Sequence, residues 1–301
     1  MRESLIQKIK LPISNLSLYI KREDLIHPVV SGNKYRKLKY NLIQAKKEKA
    51  TTLLSFGGAY SNHIAALAFA GKENGFGTIG VIRGEELRNQ IDENPTLSFA
   101  KSCGMKFEFI SREDYRMKKE SLFLESLKQK YGNFYLVPEG GTNEFAIKGC
   151  EEILNEKDAE FDFICCGIGT GGTISGIINS ALPHQKVLGF PAVKGDFIRE
   201  DIRNFVVSHN WDLITDYHFG GFGKVNADLI AFINQFYKEN QIPLDPVYTG
   251  KMAYGIMDLI KKNYFPENSK ILMIHTGGLQ GIEGMNKVLT KKQLPLIDVK
   301  I

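Results

Sequence analysis

The sequence predicts an α/β protein built as two lobes with a cleft between them, and three observations carry that reading. Short apolar runs alternate with helix-periodic segments almost from end to end. No repeat, low-complexity tract or proline-rich linker divides the chain, yet turn residues cluster after a strand at Pro138-Glu139-Gly140-Gly141-Thr142. The Gly-rich motifs sit directly after strands, where open α/β sheets bind their ligands.

Strands are expected over residues 51–56, 77–82, 106–110, 134–137, 161–166, 186–190 and 271–275. Each is short and nearly continuous in apolar residues, the pattern of a parallel sheet covered on both faces. Helices are expected over 63–73, 113–131, 145–156, 173–181, 197–208, 226–240 and 251–263. A single sheet holding every strand would be large, so two three-layer α/β/α lobes are expected, with the functional groups in the cleft.

The composition narrows the function classes. The chain has 301 residues, 43% apolar and 24% charged, with a formal net charge of +5. Its lysines and arginines are interspersed with acids, as over 46–49 and 112–125, and no basic stripe with stacking aromatics is present, so nucleic acid is not an expected partner. No stretch approaches the roughly 18 uncharged apolar residues of a membrane span, and the first residues lack an apolar signal core. Four cysteines without metal or disulfide spacing imply a reducing, cytoplasmic setting. Six scattered histidines without a His-x-x-x-His pair give no metal site.

The sharpest ligand signal is Gly167-Ile168-Gly169-Thr170-Gly171-Gly172-Thr173, after the 161–166 strand and at the start of a helix. Unpaired amides at a helix start, glycines that let an anion approach, and the hydroxyls of Thr170 and Thr173 form a phosphate cup, although a tight turn uses the same glycines. Gly167, Gly169 and Gly172 also satisfy the dinucleotide pattern G-x-G-x-x-G. However, the next strand ends Phe190-Pro191-Ala192-Val193, without the acid that holds ribose hydroxyls, and no Walker lysine follows. A compact phosphorylated cofactor fits better than a nucleotide.

Four further motifs accompany the cup. Ser31-Gly32-Asn33-Lys34-Tyr35-Arg36-Lys37 offers an amine, Lys34, whose cationic neighbours would lower its pKa; a lysine in a basic run is otherwise solvated surface. Gly57-Gly58-Ala59-Tyr60-Ser61-Asn62-His63 opens a helix, where Ser61 and Asn62 are either plain caps or a carboxylate cradle, and His63 is either a satisfied helix histidine or a ligand. Asp245-Pro246-Val247-Tyr248-Thr249-Gly250-Lys251 opens another helix, and His275-Thr276-Gly277-Gly278 follows the last strand.

From about residue 19 to residue 278 these motifs closely resemble the 1-aminocyclopropane-1-carboxylate deaminase/D-cysteine desulfhydrase family. That family belongs to the fold-type-II, tryptophan synthase β-like, pyridoxal-phosphate enzymes. The resemblance rests on Lys21-Arg22-Glu23-Asp24, Ser31-Gly32-Asn33-Lys34, the Gly57–Asn62 turn, the Gly-rich cup and Asp245-Pro246-Val247-Tyr248 in combination. It implies pyridoxal 5′-phosphate as cofactor, bound covalently by Lys34. Thr170, Gly171, Gly172, Thr173 and Lys37 would hold the phosphate, and Asn62 the 3′-oxygen. Ser61, Asn62 and His63 would meet the substrate carboxylate, with Tyr248 facing the substrate. Lys34, Ser61 and Tyr248 are the implied catalytic residues. The resemblance also implies a small lobe, 37–138, inserted into a large cofactor-binding lobe of 1–36 plus 139–301, and a homodimer.

The same resemblance separates two activities. Cyclopropane deaminases of the family carry Glu after the Val-Tyr pair and Leu after the histidine of the last strand, whereas this chain has Thr249 and Thr276. A carboxylate would keep the pyridine nitrogen protonated and a threonine hydroxyl would not, so one of the two threonines is expected to face that nitrogen. This favours α,β-elimination from a small amino acid such as D-cysteine, giving pyruvate, ammonia and sulfide. The alternative is cyclopropane ring opening to 2-oxobutanoate and ammonia. A nucleotide-dependent oxidoreductase and a non-catalytic amino-acid-binding module are the remaining classes, distinguishable by NADH binding and by ligand binding without turnover.

Overall fold

The computed structural model describes residues 2–11 and 15–301. Its strands are β1 (Leu5–Lys8), β2 (Ser17–Arg22), β3 (Thr52–Gly57), β4 (Gly77–Arg83), β5 (Lys106–Ile110), β6 (Tyr135–Val137), β7 (Phe163–Ile168), β8 (Lys186–Pro191), β9 (Trp211–Leu213) and β10 (Lys270–Ile274). Its helices are α1 (Asn33–Lys47), α2 (Asn62–Glu73), α3 (Pro95–Ser102), α4 (Ser121–Tyr131), α5 (Glu144–Glu151), α6 (Gly172–Ser180), α7 (Ile198–Arg203), α8 (Ala227–Asn240), α9 (Thr249–Lys261) and α10 (Gly281–Lys291).

Two sheets result. One has the order β1-β2-β10-β7-β8-β9 and is parallel except for the antiparallel edge strand β1; the other, β5-β4-β3-β6, is wholly parallel. Period-2 alternation sends successive side chains to opposite faces of each. In the larger sheet, Cys165, Ile271 and Met273 face α8, α9 and α10, while Ile164, Cys166, Leu272 and Ile274 face α6 and α7. In the smaller, Leu53 and Ile82 meet α1, α2 and α3, and Leu54, Phe56 and Val81 meet Leu127 of α4. Both lobes are therefore three-layered, as the continuous apolar strands require. Among the described residues no helix is long and apolar enough to cross a membrane.

Several expected elements are shorter than their sequence windows. The 113–131 segment splits into a tight 3-10 turn at Asp114–Met117 and α4, because Glu120 turns extended between them. The 197–208 window keeps only α7, and 145–156 stops at Glu151. Strands β1, β2 and β9 and helices α1, α3 and α10 were not anticipated from apolar periodicity. Helix α3 nevertheless carries local start signals, with Asn94 Oδ1 capping Thr96 and Leu97 and a proline at the first turn.

Helix α1 is the element with the largest consequence for the site. Its buried stripe is Arg36, Lys37, Leu38, Asn41 and Ala45, mostly polar. It begins at Gly32, whose φ of +61° needs a residue without a side chain, and a Cβ there would lie 2.0 Å from the Thr276 carbonyl oxygen. It then crosses α5 so closely that a Cβ on Gly149 would sit 1.9 Å from the Arg36 carbonyl oxygen. The expected lobe boundary between residues 36 and 37 thus falls inside a continuous helix. Residue 1 and residues 12–14 of the expected large lobe lie outside the described residues.

The 21–24 segment supplies the charges that hold this helix. Glu23 is fully buried and takes a two-pronged ion pair from Arg36, at 2.9 and 3.0 Å, and its carbonyl accepts from the Gly32 amide at 3.0 Å. Arg22 pairs with Asp24, and Lys21 with buried Asp158. Removing one member of such a buried pair strands the other charge, at a cost of about 3–5 kcal/mol. Glu23→Ala should therefore lower unfolding stability in urea by about that amount; a loss below about 1 kcal/mol would show that the pair does not anchor α1.

Candidate active site

The carboxyl ends of β2, β7, β8 and β10 share one edge of the large sheet, and the first turn of α1 lies across it. The Asn33 amide donates to the Thr276 carbonyl at 3.2 Å, which fixes Lys34 beside the end of β10. Lys34 Nζ donates to Asn33 Oδ1 at 2.9 Å, and Asn33 Nδ2 donates to Thr173 Oγ1 at 2.8 Å. One asparagine side chain thereby ties the lysine amine to the Gly-rich loop 140 residues downstream. Burial first, and the nearby Lys37 charge second, bring the Lys34 pKa down to about 7.

The Gly-rich loop has the features of an anion cradle. Helix α6 starts without a side-chain cap, and Gly171 adopts the left-handed φ of +81° just ahead of it. Its first amides therefore face outward for a ligand. Lys37, 2% exposed, brings its ammonium to the same place, donating to the Gly140 carbonyl at 2.9 Å, Thr142 Oγ1 at 3.1 Å and Thr170 Oγ1 at 3.4 Å. Thr142 and Thr170 hydroxyls are themselves 2.7 Å apart. A Cβ on Gly172 would come within 2.8 Å of Thr142 Oγ1 and 3.2 Å of Lys37 Nζ, so this wall must be glycine. Burial lowers the Lys37 pKa, a sign of a cation held without a carboxylate.

The remaining expected residues differ in how they are used. Asn62, the first residue of α2, packs its amide where a Cβ on Gly278 would be 2.9 Å from Nδ2, and its buried Oδ1 has no hydrogen-bond partner. Ser61 caps α2, its Oγ accepting from the Ile64 amide at 3.3 Å. His63 is buried, with Nε2 2.9 Å from Ser55 Oγ and Nδ1 unpartnered beside Gly141; burial and the Lys34 and Lys37 charges hold its pKa well below the usual histidine value, so it is neutral. The Tyr248 ring lies over the loop, where a Cβ on Gly169 would be 3.1 Å from Cε1 and 3.2 Å from the hydroxyl. Burial first, then Asp245 and Glu139, raise the Tyr248 pKa and keep the phenol protonated.

Thr249, one of the two threonines expected near the pyridine nitrogen, is engaged at the start of α9. It is fully buried, and its hydroxyl donates to Asp245 Oδ2 at 2.5 Å while accepting from the Asp245 amide at 3.0 Å. Asp245 also takes the Val247, Tyr248 and Thr249 amides, at 2.9, 2.8 and 2.8 Å, as the cap of α9. Thr249 therefore spends its hydroxyl proton on Asp245 at the helix start. Thr276, at the end of β10, makes no side-chain hydrogen bond among the described residues.

Asn33, Thr142 and Asp245 escaped selection as site residues. Asn33 adjoins Lys34, and Thr142 closes the turn that marked the lobe boundary, so position in a motif was the available signal. Among the described residues no three His, Cys, Asp or Glu side chains converge to hold a metal ion.

An amine half-neutral near pH 7, beside an uncapped helix start and a buried ammonium, is suited to a phosphorylated aldehyde. The amine attacks only when neutral, so rising pH raises its reactivity until the group is fully deprotonated. In cofactor-free protein the rate at which Lys34 traps a small aldehyde should climb about tenfold from pH 6 to pH 8 and then level off. A rate still climbing at pH 10 would mean an unperturbed lysine. Lys37→Met should weaken retention of pyridoxal 5′-phosphate at least about tenfold by equilibrium dialysis, since a buried charge-assisted contact to the phosphate is removed; unchanged retention would exclude Lys37 from the cup.

Comparisons with known proteins agree with this geometry. Residues 6–277 match the family model described as pyridoxal-phosphate dependent enzyme. The chain is 31% identical over 283 to 296 residues to several relatives, among them the bifunctional D-cysteine desulfhydrase/1-aminocyclopropane-1-carboxylate deaminase, mitochondrial, of Arabidopsis thaliana, with 88% of this chain and 73% of that protein covered. It is 26% identical to the D-cysteine desulfhydrase of Yersinia enterocolitica, covering 87% of this chain and 86% of the relative. A crystal structure described as an ACC deaminase homologue superposes with a TM-score of 0.83 at 29% identity, covering 96% of this chain and 94% of that one. The amine, the cup and the matched span together make this chain a pyridoxal-phosphate-dependent enzyme, a member of the 1-aminocyclopropane-1-carboxylate deaminase/D-cysteine desulfhydrase family.

Proposed function

We propose that the protein is a D-cysteine desulfhydrase-like enzyme that eliminates the β-substituent of a small amino acid, releasing pyruvate, ammonia and, from D-cysteine, sulfide. The observation that carries this reading is the end of β10. With Thr249 spent on Asp245 and the Asp245 carboxylate closed by four donors, Thr276 is the polar side chain left there. A hydroxyl there would leave the pyridine nitrogen unprotonated, which suits elimination through a removable Cα proton, whereas the family resemblance associates a carboxylate at the Thr249 position with cyclopropane ring opening.

When bound, pyridoxal phosphate supplies the electron sink for charge left at the substrate Cα. Lys37, Thr170, Thr173 and the α6 amides of Gly171 and Gly172 would grip its phosphate, and Asn62 its 3′-oxygen. Lys34 Nζ would be the base for the Cα proton, and in the cofactor-free site burial and the Lys37 charge already bring its pKa down to about 7. The Cβ–S bond breaks with its electron pair on sulfur, which leaves as hydrosulfide, and the released 2-aminoacrylate adds water to give pyruvate and ammonia. Ser61 uses its oxygen as the α2 cap and so keeps its hydroxyl proton to donate to the substrate carboxylate, near the positive end of α2. Neutral His63 backs that cradle. Protonated Tyr248 faces the substrate as a donor. The buried free thiols Cys150, Cys165 and Cys166 fit a reducing cytoplasm, and the family resemblance favours a homodimer.

The test is keto-acid release by holoenzyme from D-cysteine, L-cysteine, D-serine, β-chloro-D-alanine and 1-aminocyclopropane-1-carboxylate. Pyruvate from D-cysteine and β-chloro-D-alanine is expected, and Lys34→Ala should lower it by at least about 10³-fold. Release of 2-oxobutanoate from the cyclopropane substrate, with D-cysteine inert, would replace this reading with ring opening.

A further inference from the structure

Lys251 is the buried cation that the chemistry above leaves without a task. It projects from the first turn of α9, three residues after Tyr248, and is 2% exposed. It forms no ion pair among the described residues. Its Nζ donates instead to two backbone carbonyls, His218 and Gly221, each at 2.9 Å. Burial brings its pKa down to about 8, and the two carbonyls, rather than a carboxylate in contact, are what hold the amine.

The two carbonyls belong to a glycine-rich loop whose internal bonds are turn bonds: the Gly221 amide donates to the His218 carbonyl at 3.0 Å, the Lys224 amide to the Gly221 carbonyl at 3.1 Å, and the Gly220 amide to His218 Nδ1 at 2.9 Å. In His218-Phe219-Gly220-Gly221-Phe222-Gly223-Lys224, four residues have positive φ: Phe219 at +54°, Gly220 at +91°, Gly221 at +119° and Gly223 at +67°. Glycine-rich backbone of this kind loses more conformational entropy on ordering than any other. Its base is fixed by Phe219, edge-on to Tyr254 at 5.0 Å. Its tip, Phe222, is 57% exposed and has its ring edge-on to Tyr248 at 5.6 Å and 77°. Lys251 ties these turns to α9, giving each of the two carbonyls a second donor from outside the loop.

We propose that Lys251 is a positioning residue: by holding the His218 and Gly221 carbonyls it fixes the 218–224 loop so that Phe222 packs on Tyr248 and walls the substrate pocket, restricting the enzyme to amino acids with a small β-substituent. This rests on the reading of Tyr248 as substrate-facing. Lys251 acts through the loop and touches neither substrate nor cofactor.

The experiment measures kcat, KM and melting temperature of the holoenzyme for D-cysteine and for D-cysteine bearing a bulky S-substituent. Lys251→Met should raise KM for D-cysteine about tenfold with kcat within about twofold, and should narrow the preference for the smaller substrate. Lys251→Arg, which keeps N–H donors for the carbonyls, should recover part of that KM. Gly221→Ala is the second arm: its Cβ would meet nothing within 4 Å, so it strains the loop without a clash and should move KM and size preference the same way even if Lys251→Met does not fold. Parental KM and size preference in the folded variants, whatever the melting temperature, would overturn the proposal. Tyr248→Phe separates the two readings. If it changes the kinetics while Lys251→Met and Gly221→Ala do not, only the role of Lys251 falls. If Tyr248→Phe is itself kinetically silent, the substrate-facing reading of Tyr248 falls, and this inference with it.

Discussion

The seating of the first turn of α1 on the end of β10 is the contact on which the site depends. Backbone meets backbone there: the Asn33 amide on the Thr276 carbonyl, with Gly32 leaving no room for a side chain between them. Such an approach positions Lys34 to within the tolerance of a hydrogen bond, which long side chains on separate elements would not secure. The charges of residues 21–24 hold the helix from behind. Glu23 reaches Arg36 by side chain and Gly32 by carbonyl, so one buried residue fixes both the helix start and its second turn.

The electrostatics follow from that seating. Lys34 and Lys37 enter the same partly dry space, and neither has a carboxylate in contact, so both are shifted towards neutrality. Two amines and an uncapped helix start make a region that an anion would complete. The neutral His63 and the protonated Tyr248 on either side keep further charge out of it. Acidic groups are nearby but closed: Asp245 by the start of α9, and Glu139 by the Tyr115 hydroxyl at 2.6 Å. Carboxylates are thus spent on holding loops, which leaves the cup positive.

Much of the fold was legible because apolar strands covered on two faces announce themselves by composition. The seven anticipated strands all occur, and the Gly-rich cup lies where the pattern after β7 placed it. Helix α1 was not legible, for a physical reason: its inward stripe is Arg36, Lys37 and Asn41, polar residues that satisfy their groups on Glu23, the cup and Asn143. Hydrophobic periodicity does not register a core face made of paired charges. Strands β1 and β9 were not legible because they are edge elements of four and three residues, too short for a pattern. Strand β2 lies inside the sheet, but Lys21 and Arg22, buried with Asp158 and Asp24 as partners, interrupt its apolar run.

The division between sequence and tertiary structure runs through the site itself. The sequence alone determined the α/β class, the phosphate cup after β7 and, through the motif resemblance, the lysine. Those follow from local patterns, because a strand, a glycine turn and a helix start are each encoded within a few residues. Tertiary structure decided which groups are free to act. Thr249 and Thr276 are the same residue type in similar motifs, yet one is consumed by Asp245 and the other is left at the end of a strand. Asn33 gained its role only when Thr173 came within 2.8 Å. Hydrogen-bond capacity is local, but its satisfaction depends on neighbours that arrive from far along the chain.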